Sequence, residues 1–365
     1  FKPLAVISIS DNIRDDAIQT IRWFKENDVE VKIISGDNPV TVSEVAKRVG
    51  VANADKYISL EGFNEKEVAA VANKYTVFGR VTPEQKAILV KSIKSDGNTV
   101  AMTGDGVNDI LALKEADCAV TVMSGSEAAK NVSHIVLTDN NFSSMPKVVF
   151  EGRRVINNIQ NSSSLYLMQT LFTTVFAIIS IILMQQYPFV TSNMMVLEFF
   201  VIGIPTFFLS LQPNQNRVKG KFLSFVLSRA VPGALVLILA VQSTNIFAIF
   251  QPEYFSDYYM EISVYLISFA GLIMLFRVCQ PLNAMRTFLF LAMLTISILC
   301  LTLLPNLFID EKFFEEGYKH LGFVQYLYIA MVMFFCIPLS SALLKITDRL
   351  TKDHEPLTQK NTTLQ

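Results

Sequence analysis

The sequence has few of the residues that build disulfide frameworks or metal sites, with four cysteines and three histidines among 365 residues. The spacing of the cysteines fits no common metal motif, so we interpret them as reduced, buried side chains: Cys118, Cys279, Cys300 and Cys336. The net charge is only −1, which argues against a nucleic-acid partner. The first residue is Phe and no signal peptide precedes the first apolar run. We therefore expect a fragment whose N-terminal portion is missing.

Charged residues are also scarce in the second half of the chain. Residues 1 to about 160 carry charges throughout, whereas residues 165–345 are dominated by Phe, Leu, Ile, Val and Met. In the first half, short apolar runs alternate with amphipathic stretches, a pattern typical of a parallel sheet covered by helices. Each predicted strand ends in a polar loop, and open α/β folds bind ligands at that edge of the sheet. Strands are predicted at 3–9, 29–34, 76–78, 98–102, 118–122 and 134–137.

The second half contains six apolar windows, most of them near the length that spans a bilayer: 165–184, 193–211, 230–250, 261–276, 287–304 and 322–344. A polar helix over 142–164 continues into the first window. Basic residues occupy the second-to-third loop, the fourth-to-fifth loop and the tail, which the positive-inside rule places in the cytoplasm with the soluble domain. We expect a soluble domain at 1–160, a membrane domain at 161–347 in the cell membrane, and a disordered cytoplasmic tail at 348–365.

The strongest motif is TGDGVND at residues 103–109. Its two glycines allow a tight turn after a strand. Asp105 and Asp109 project from one loop as hard oxygen ligands suited to Mg²⁺, with Asn108 available for a hydrogen bond. The alternative is an Asp/Gly-rich turn with solvated carboxylates.

This string, extended by Ala112-Leu113 and Ala116-Asp117, resembles the hinge signature TGDGxNDxxALxxAD of the P-type (E1-E2) cation-transporting ATPases. The resemblance implies a haloacid dehalogenase-like, Rossmann-like α/β phosphorylation domain followed by an all-α six-helix transmembrane domain. It also implies ATP-driven ion transport through an aspartyl-phosphate, with ATP and Mg²⁺ as cofactors. The partners implied are a transported cation, the lipid bilayer, and upstream actuator and nucleotide-binding domains.

Three further segments match the family in order. ISGDN at 34–38 resembles its phosphate-holding loop, which implies that Ser35, Gly36 and Asp37 contact the phosphoryl group. FGRVTPEQK at 78–86 implies that Lys86 neutralises the phosphoaspartate, acting with Ser35 and Asp109. DNIR at 11–14 implies that Arg14 faces the nucleotide. The alternatives are a solvated turn, a surface lysine and an ordinary helix cap.

The family's nucleophile is the Asp of a DKTGT sequence, and these 365 residues contain no DKTGT. Asp105 does not take that role, because the resemblance makes it a Mg²⁺ ligand. We expect that this chain alone neither autophosphorylates nor turns over ATP.

In the family, ions bind between the fourth, fifth and sixth membrane helices, and the first two apolar windows correspond to the fifth and sixth. Gly203-Ile204-Pro205 keeps the family's kink, but Ile202 stands where an acid is usual. The transport-site candidates are therefore Gln169, Thr170, Thr173, Glu198 and Pro205. An intramembrane carboxylate indicates function. The alternatives are a Glu198 that reaches the outer surface and threonines that bond to their own helix or pack against a neighbour.

The sequence is less specific about the transported species than about the reaction. A G-x-P sixth helix with few acids resembles a group of bacterial pumps, some linked to calcium uptake, so we expect a divalent cation, calcium first. A lipid or polyamine flippase of the same superfamily shares the soluble motifs and remains open. A membrane-anchored phosphatase and an inactive truncated membrane protein are remoter alternatives.

Overall fold

The computed structural model describes residues 13–214, 216–218, 220–310, 312–315 and 320–352, with the side chains of 351 and 352 left undescribed. The predicted strand at 3–9 and the cap residue Asp11 lie outside these residues. The chain divides into two compact units, Phe1–Phe150 and Glu151–Gln365.

The first unit alternates helices with short strands, as the hydrophobic pattern predicts. Its helices are α1 (Ala17–Glu26), α2 (Pro39–Arg48), α3 (Glu65–Val71), α4 (Pro83–Ser95), α5 (Ile110–Glu115) and α6 (Glu127–Val132). Its strands are β1 (Ile33–Ile34), β2 (Tyr57–Ser59), β3 (Val77–Gly79), β4 (Ala101–Thr103), β5 (Cys118–Val122) and β6 (Ile135–Leu137).

The described strands form two parallel sheets of three strands each, in the orders β1-β3-β2 and β4-β5-β6. The hydrophobic pattern predicts a single parallel sheet, so the division into two sheets differs from the prediction. Between β1 and β4 lies a cavity of about 400 Å³ whose lining includes Ile34, Met102 and Val120. The edges of β1 and β4 therefore face a cavity instead of pairing with each other within the described residues. The strand order still brings the C-terminal ends of β1, β3 and β4 into one compact unit.

Two helix starts fix the loops that follow β1 and β3. Asn38 caps α2 by accepting a hydrogen bond from the Val40 amide at 2.9 Å, and Pro39 occupies the first turn. Thr82 and Gln85 form a reciprocal capping box at the start of α4, at 3.3 and 3.1 Å. Proline is favoured in a first helical turn, so Pro39 and Pro83 predict both starts from the sequence, and these starts set where the residues of each first turn can reach.

Three elements of this unit were not predicted, namely β2, α5 and α6. Strand β2 is only three residues long and pairs with β3, so its existence depends on a partner distant in sequence. Helix α6 is capped by Ser126, whose hydroxyl accepts a hydrogen bond from the Ala129 amide at 3.1 Å. The predicted strand at 134–137 begins one residue later, because Nδ1 of His134 accepts a hydrogen bond from the Ala119 amide at 2.8 Å.

Asp117, in the AD pair of the hinge signature, joins the start of β4 to α4. Its Oδ2 accepts a hydrogen bond from the Val100 amide at 2.8 Å, and its Oδ1 lies 3.1 Å from Nζ of Lys94. The hydrogen bond from Val100, followed by the contact with Lys94, lowers the pKa of Asp117 below its usual 3.8. A carboxyl with a lowered folded-state pKa stabilises the fold above its usual pKa, and this stabilisation is lost as the pH falls through the folded value.

Asp117→Asn is therefore expected to lower the melting temperature at neutral pH, because the amide carries no charge for Lys94. The difference from the unchanged chain should shrink as the pH falls below 3.8. The fluorescence of Trp23, the single tryptophan, reports this unit because its ring packs against that of Phe24 at 5.2 Å. Glu61→Gln, at an exposed acid, is the control. A difference that stays constant down to acidic pH would contradict the assignment.

The second unit is helical. Helix α7 (Met145–Ile182) begins in the first unit and runs without a break into apolar sequence, as predicted. The rest comprises α8 (Thr191–Val196), a π-helical segment (Leu197–Gly203), α9 (Ile204–Ser210), α10 (Phe222–Phe250), α11 (Pro252–Phe255), α12 (Tyr259–Val278), α13 (Ala284–Leu303), α14 (Pro305–Phe308) and α15 (Phe323–Lys352).

Six helical segments in the described part of the chain are long and apolar enough to cross a membrane. They coincide with the six predicted windows, so the prediction of six candidate membrane spans is confirmed. The third begins at Phe222, before the predicted 230, and α15 continues to Lys352, past the predicted start of the tail at 348. The added residues include Arg229 in the third helix and Lys345, Asp348 and Arg349 in α15. Such charges end an apolar window without ending the helix.

Candidate functional site

The loop after β1 is held to the segment after β3 by backbone hydrogen bonds. The Ser35 amide donates to the Phe78 carbonyl at 2.9 Å, the Arg80 amide to Asp37 at 2.9 Å, and the Val81 amide to Ser35 at 3.1 Å. Arg80 takes a left-handed conformation with φ of 53°, which lets the chain turn between β3 and α4. The two predicted segments, 34–38 and 78–86, are thus one assembly.

Within this assembly Ser35 and Asp37 orient each other. The Asp37 amide donates to Oγ of Ser35 at 3.1 Å, and Oγ donates to Oδ2 of Asp37 at 3.2 Å. Gly36 and Asp37 are exposed and Ser35 is half-buried. The hydroxyl and the small residue beside it therefore lie at a solvent-accessible edge, the position that the phosphate-loop prediction requires.

Lys86 and Asp109 form an ion pair that is nearly enclosed by the protein. Nζ of Lys86 lies 2.7 Å from Oδ1 of Asp109, and the side chains are 13% and 11% exposed. Oδ2 of Asp109 accepts a hydrogen bond from the Gly106 amide at 3.3 Å. Helix α4, which carries Lys86, follows β3 of the first sheet, and Asp109 lies in the loop after β4 of the second sheet. The pair therefore connects the C-terminal edges of the two sheets, the edges at which open α/β folds bind ligands. Removing one partner of a buried pair leaves an uncompensated charge, at a cost of about 3–5 kcal/mol.

Asp105 and Asn108 are exposed on the same loop. The backbone at Asp105 is fixed because its carbonyl accepts a hydrogen bond from the Ser126 amide at 2.8 Å. Its carboxylate makes no hydrogen bond or ion pair within the described part of the chain, and an exposed carboxylate of this kind suits Mg²⁺. Both oxygens of Asp109 are occupied by Lys86 and Gly106, so in this structure Asp109 positions the lysine. No group of three or more acidic, His or Cys side chains forms a metal cluster among the described residues.

Gly104 sits where the backbone of the loop passes closest to Asp109. A Cβ at this position would lie 2.5 Å from Cβ and 2.7 Å from Cγ of Asp109, closer than side chains approach. The glycine therefore permits the Lys86–Asp109 pair by leaving room for the acid.

Gly104→Ala is expected to displace the carboxylate of Asp109 and lower the melting temperature of the first unit, at a cost of about 1–3 kcal/mol for an overpacked site. Trp23 fluorescence during thermal unfolding measures this. Gly36→Ala is a matched control, since a Cβ there meets nothing within 4 Å. Equal melting temperatures for the two variants would show that the close approach at Gly104 is unimportant.

Arg14 lies beside the turn that follows β6. Its Nη1 donates to the Asn140 carbonyl at 3.4 Å, and its Nε lies 3.7 Å from Oδ1 of Asp16. The guanidinium is exposed, at 62% for the side chain. Among the described contacts none joins it to Ser35, Lys86 or Asp109, so its nucleotide-facing role stays a prediction.

In the second unit, two of the predicted transport residues meet. Nε2 of Gln169 on α7 donates to Oε1 of Glu198 at 3.0 Å. Glu198 lies in the π-helical segment Leu197–Gly203, which ends just before Pro205. Proline has no amide to donate and its ring crowds the preceding turn, which favours a widened turn there. A π-helical turn of this kind often marks a functional position.

The two threonines bond to their own helix. Oγ1 of Thr170 donates to the Tyr166 carbonyl at 3.0 Å, and Oγ1 of Thr173 donates to the carbonyls of Gln169 and Thr170 at 3.1 Å. This is the arrangement expected under the alternative in which the threonines only bond to their own helix. Each hydroxyl oxygen keeps its acceptor capacity, so a role as cation ligands stays a prediction.

Two buried polar residues of the membrane helices are missing from the predicted site. Asn193 is fully buried, and its Nδ2 has no partner among the described residues although its Oδ1 accepts a hydrogen bond from the Val190 amide at 2.9 Å. Glu261 is buried in α12 with 5% exposure. Both stand at the first position of an apolar window, where the hydrophobic pattern marks only an edge. The sequence signal that could have identified Asn193 and Glu261 is a polar residue at a position that helical periodicity places on a buried face.

The comparison with known proteins agrees with these observations. Residues 2–117 match the family of haloacid dehalogenase-like hydrolases. A probable cation-transporting ATPase of Streptococcus pneumoniae is 37% identical over 299 residues, which are 78% of this chain and 38% of that protein. A calcium-transporting ATPase of Mycobacterium bovis is 41% identical over 264 residues, 70% of this chain and 33% of that protein. A calcium-transporting ATPase of Bacillus cereus is 37% identical over 164 residues, 44% of this chain and 18% of that protein. The chain thus spans well under half the length of these relatives.

Proposed function

We propose that this chain, which belongs to the P-type cation-transporting ATPases and carries their haloacid dehalogenase-like domain, handles the phosphoryl group and holds part of the ion path in an ATP-driven pump. The buried Lys86–Asp109 pair carries the proposal. It places an ammonium, 2.7 Å from its acid, between the ligand edges of the two sheets. The ordered Ser35 loop and the exposed Asp105 end at those same edges.

The proposed chemistry is positioning and charge neutralisation, as in other phosphoryl transfers. Lys86 offsets charge on the transferred phosphoryl group, and Asp109 holds its ammonium in place. The Ser35 hydroxyl donates a hydrogen bond to a phosphoryl oxygen, in place of its bond to Asp37. Mg²⁺, when bound, supplies further charge neutralisation, and Asp105 is the residue that would hold it, with Asp109 as the predicted second ligand. The acceptor of the phosphoryl group is an aspartate that these 365 residues do not supply.

The cargo we propose is a divalent cation, with calcium first. Two observations support a cation site at the π-helical segment, namely the Gln169–Glu198 contact and the π-helical turn before Pro205. Hard carboxylate and amide oxygens are the ligand types that calcium takes. The mycobacterial and Bacillus relatives are named calcium-transporting ATPases, which supports the choice of calcium. We propose the cytoplasm for the first unit and the C-terminus, because the basic loops share their side.

The test is a substrate-stimulated ATPase assay on the full-length protein in vesicles. Calcium should stimulate the hydrolysis of ATP and the formation of an acid-stable phosphoenzyme from ATP. Other divalent cations should stimulate both more weakly. Stimulation by lipids or polyamines with no response to cations would favour the flippase and overturn the cation proposal.

The 365-residue chain by itself offers a second measurement. Incubated with ATP and Mg²⁺, it should form no acyl-phosphate and release no phosphate. An ATP-dependent acyl-phosphate on this chain would contradict the assignment of the nucleophile to a residue outside it.

A further inference from the structure

A cavity of about 450 Å³ lies inside the second unit, between α7, α10, α12 and α15. Its charged lining side chains are Arg229, Arg277, Lys345 and Asp348. Three cations and one acid leave the lining with a positive balance. Ser164, Ser341 and Gln280 add polar groups to the same wall. A basic cavity enclosed by membrane helices selects an anion.

Arg277 gives the strongest evidence that this cavity binds an anion. Its Nη2 donates to the Ile337 carbonyl at 3.3 Å and to the hydroxyl of Ser341. Its Nε is buried and has no hydrogen-bond partner, and no carboxylate pairs with it among the residues that the structure describes. A buried donor without a partner is costly, and more so when it belongs to a charged group. An anion in the cavity would supply the acceptor that the protein lacks.

Arg229 reaches the cavity from α10. Its guanidinium lies 3.7 Å from the centre of the Phe225 ring, which orients it by a cation–π contact. The side chain is half-buried, whereas Lys345 on α15 is exposed at the mouth. Asp348 lines the same cavity and offsets part of the Arg229 charge. The positive balance therefore rests on the Arg277 guanidinium and the flexible ammonium of Lys345, a set that suits phosphate oxygens.

Arg277 also lines a second, apolar groove of about 580 Å³ between α12, α13 and α15. The groove walls include Phe269, Phe290, Met333 and Phe334. Phe269 precedes Arg277 by eight residues on α12, about 12 Å further along the helix at 1.5 Å per residue. A polar cavity and an apolar groove that meet at one guanidinium match a molecule with a charged head and an acyl chain.

We propose that an anionic glycerophospholipid binds here, with its phosphate in the cavity against Arg277, Arg229 and Lys345 and one acyl chain in the apolar groove. This site is separate from the phosphoryl site and from the Gln169–Glu198 contact. It makes the lipid part of the packing between α12 and α15, the helices that frame both spaces.

Lipid retention by the full chain tests the proposal. The delipidated protein is exposed to micelles that contain equal phosphatidylglycerol and phosphatidylcholine, and the lipids it keeps are counted by native mass spectrometry. The unchanged chain should prefer phosphatidylglycerol, and Arg277→Gln should lower that preference about fivefold or more, since each basic group near an anionic headgroup contributes strongly. Arg277→Lys should keep most of it. Arg349→Ala removes a positive charge from α15 outside the cavity, and it should leave the preference for phosphatidylglycerol unchanged.

A groove variant separates a lipid from free phosphate. Ala330→Trp fills the groove from its exposed side and should lower retention of the lipid while leaving helix content and gel-filtration behaviour unchanged. Excess inorganic phosphate should not displace the lipid from the unchanged chain. Equal retention of the two lipids, unchanged retention in Arg277→Gln, or full displacement by inorganic phosphate with no effect of Ala330→Trp would each overturn the proposal.

Discussion

Replacing Lys86 by Ala in the full-length protein is expected to slow phosphoenzyme formation from ATP about 100- to 1,000-fold, the loss typical when a preorganised charge-stabilising group is removed. The ammonium lies 2.7 Å from Asp109 in a pair that is nearly enclosed, so little water competes with its charge. The measurement is the rate of labelling by radioactive ATP under rapid mixing. Lys47→Ala is the matched control, because Lys47 pairs with Glu44 on an exposed helix face.

A purely structural role for Lys86 is separated by the partner variant. Lys86→Ala leaves the Asp109 carboxylate buried and unpaired, which destabilises the first unit. Asp109→Asn combined with Lys86→Ala removes that charge and should restore much of the lost melting temperature. Phosphorylation should stay low in the double variant. Recovery of phosphorylation together with stability would show that Lys86 acts only through the fold.

The position of Lys86 could be predicted, but its partner could not. Pro83 marked the start of α4, and this placed Lys86 in the first turn of the helix. The partner depends on how α4 meets the loop after β4, a contact between residues 23 positions apart. Spacing within the TGDGVND loop therefore indicated a metal ligand at Asp109, whereas the structure shows both of its oxygens bonded within the protein.

The membrane helices show the same limit. Apolar length located all six spans, because a bilayer imposes the same length on any sequence. Pro205 predicted a disturbed helix, but the close packing of the π-helical segment Leu197–Gly203 against α12 could not be predicted. Gly271 of α12 lets this segment pack closely, since a Cβ there would lie 2.6 Å from Cδ1 of Leu197. A contact between two helices leaves no periodic signal in either one.

The Gln169–Glu198 contact leads to the second large effect. In the full-length protein, Glu198→Gln should raise the calcium concentration for half-maximal phosphorylation at least about tenfold, because a neutral amide replaces the anionic oxygen at a cation site. The Glu198 carboxylate is exposed, and its 3.0 Å contact with Gln169 joins it to the neighbouring helix α7, the arrangement that a cation site shared by two helices requires. Phosphorylation from ATP across a calcium series measures the shift.

Two variants sharpen this result. Glu253→Gln removes an exposed acid from α11, outside the spans, and should leave the calcium dependence unchanged. Gln169→Leu removes the amide that orients Glu198 and should shift the calcium dependence in the same direction by a smaller amount, since the charge remains. If Glu198→Gln has the calcium dependence of the unchanged protein, Glu198 lies outside the cation site and the carboxylate serves only the helix end.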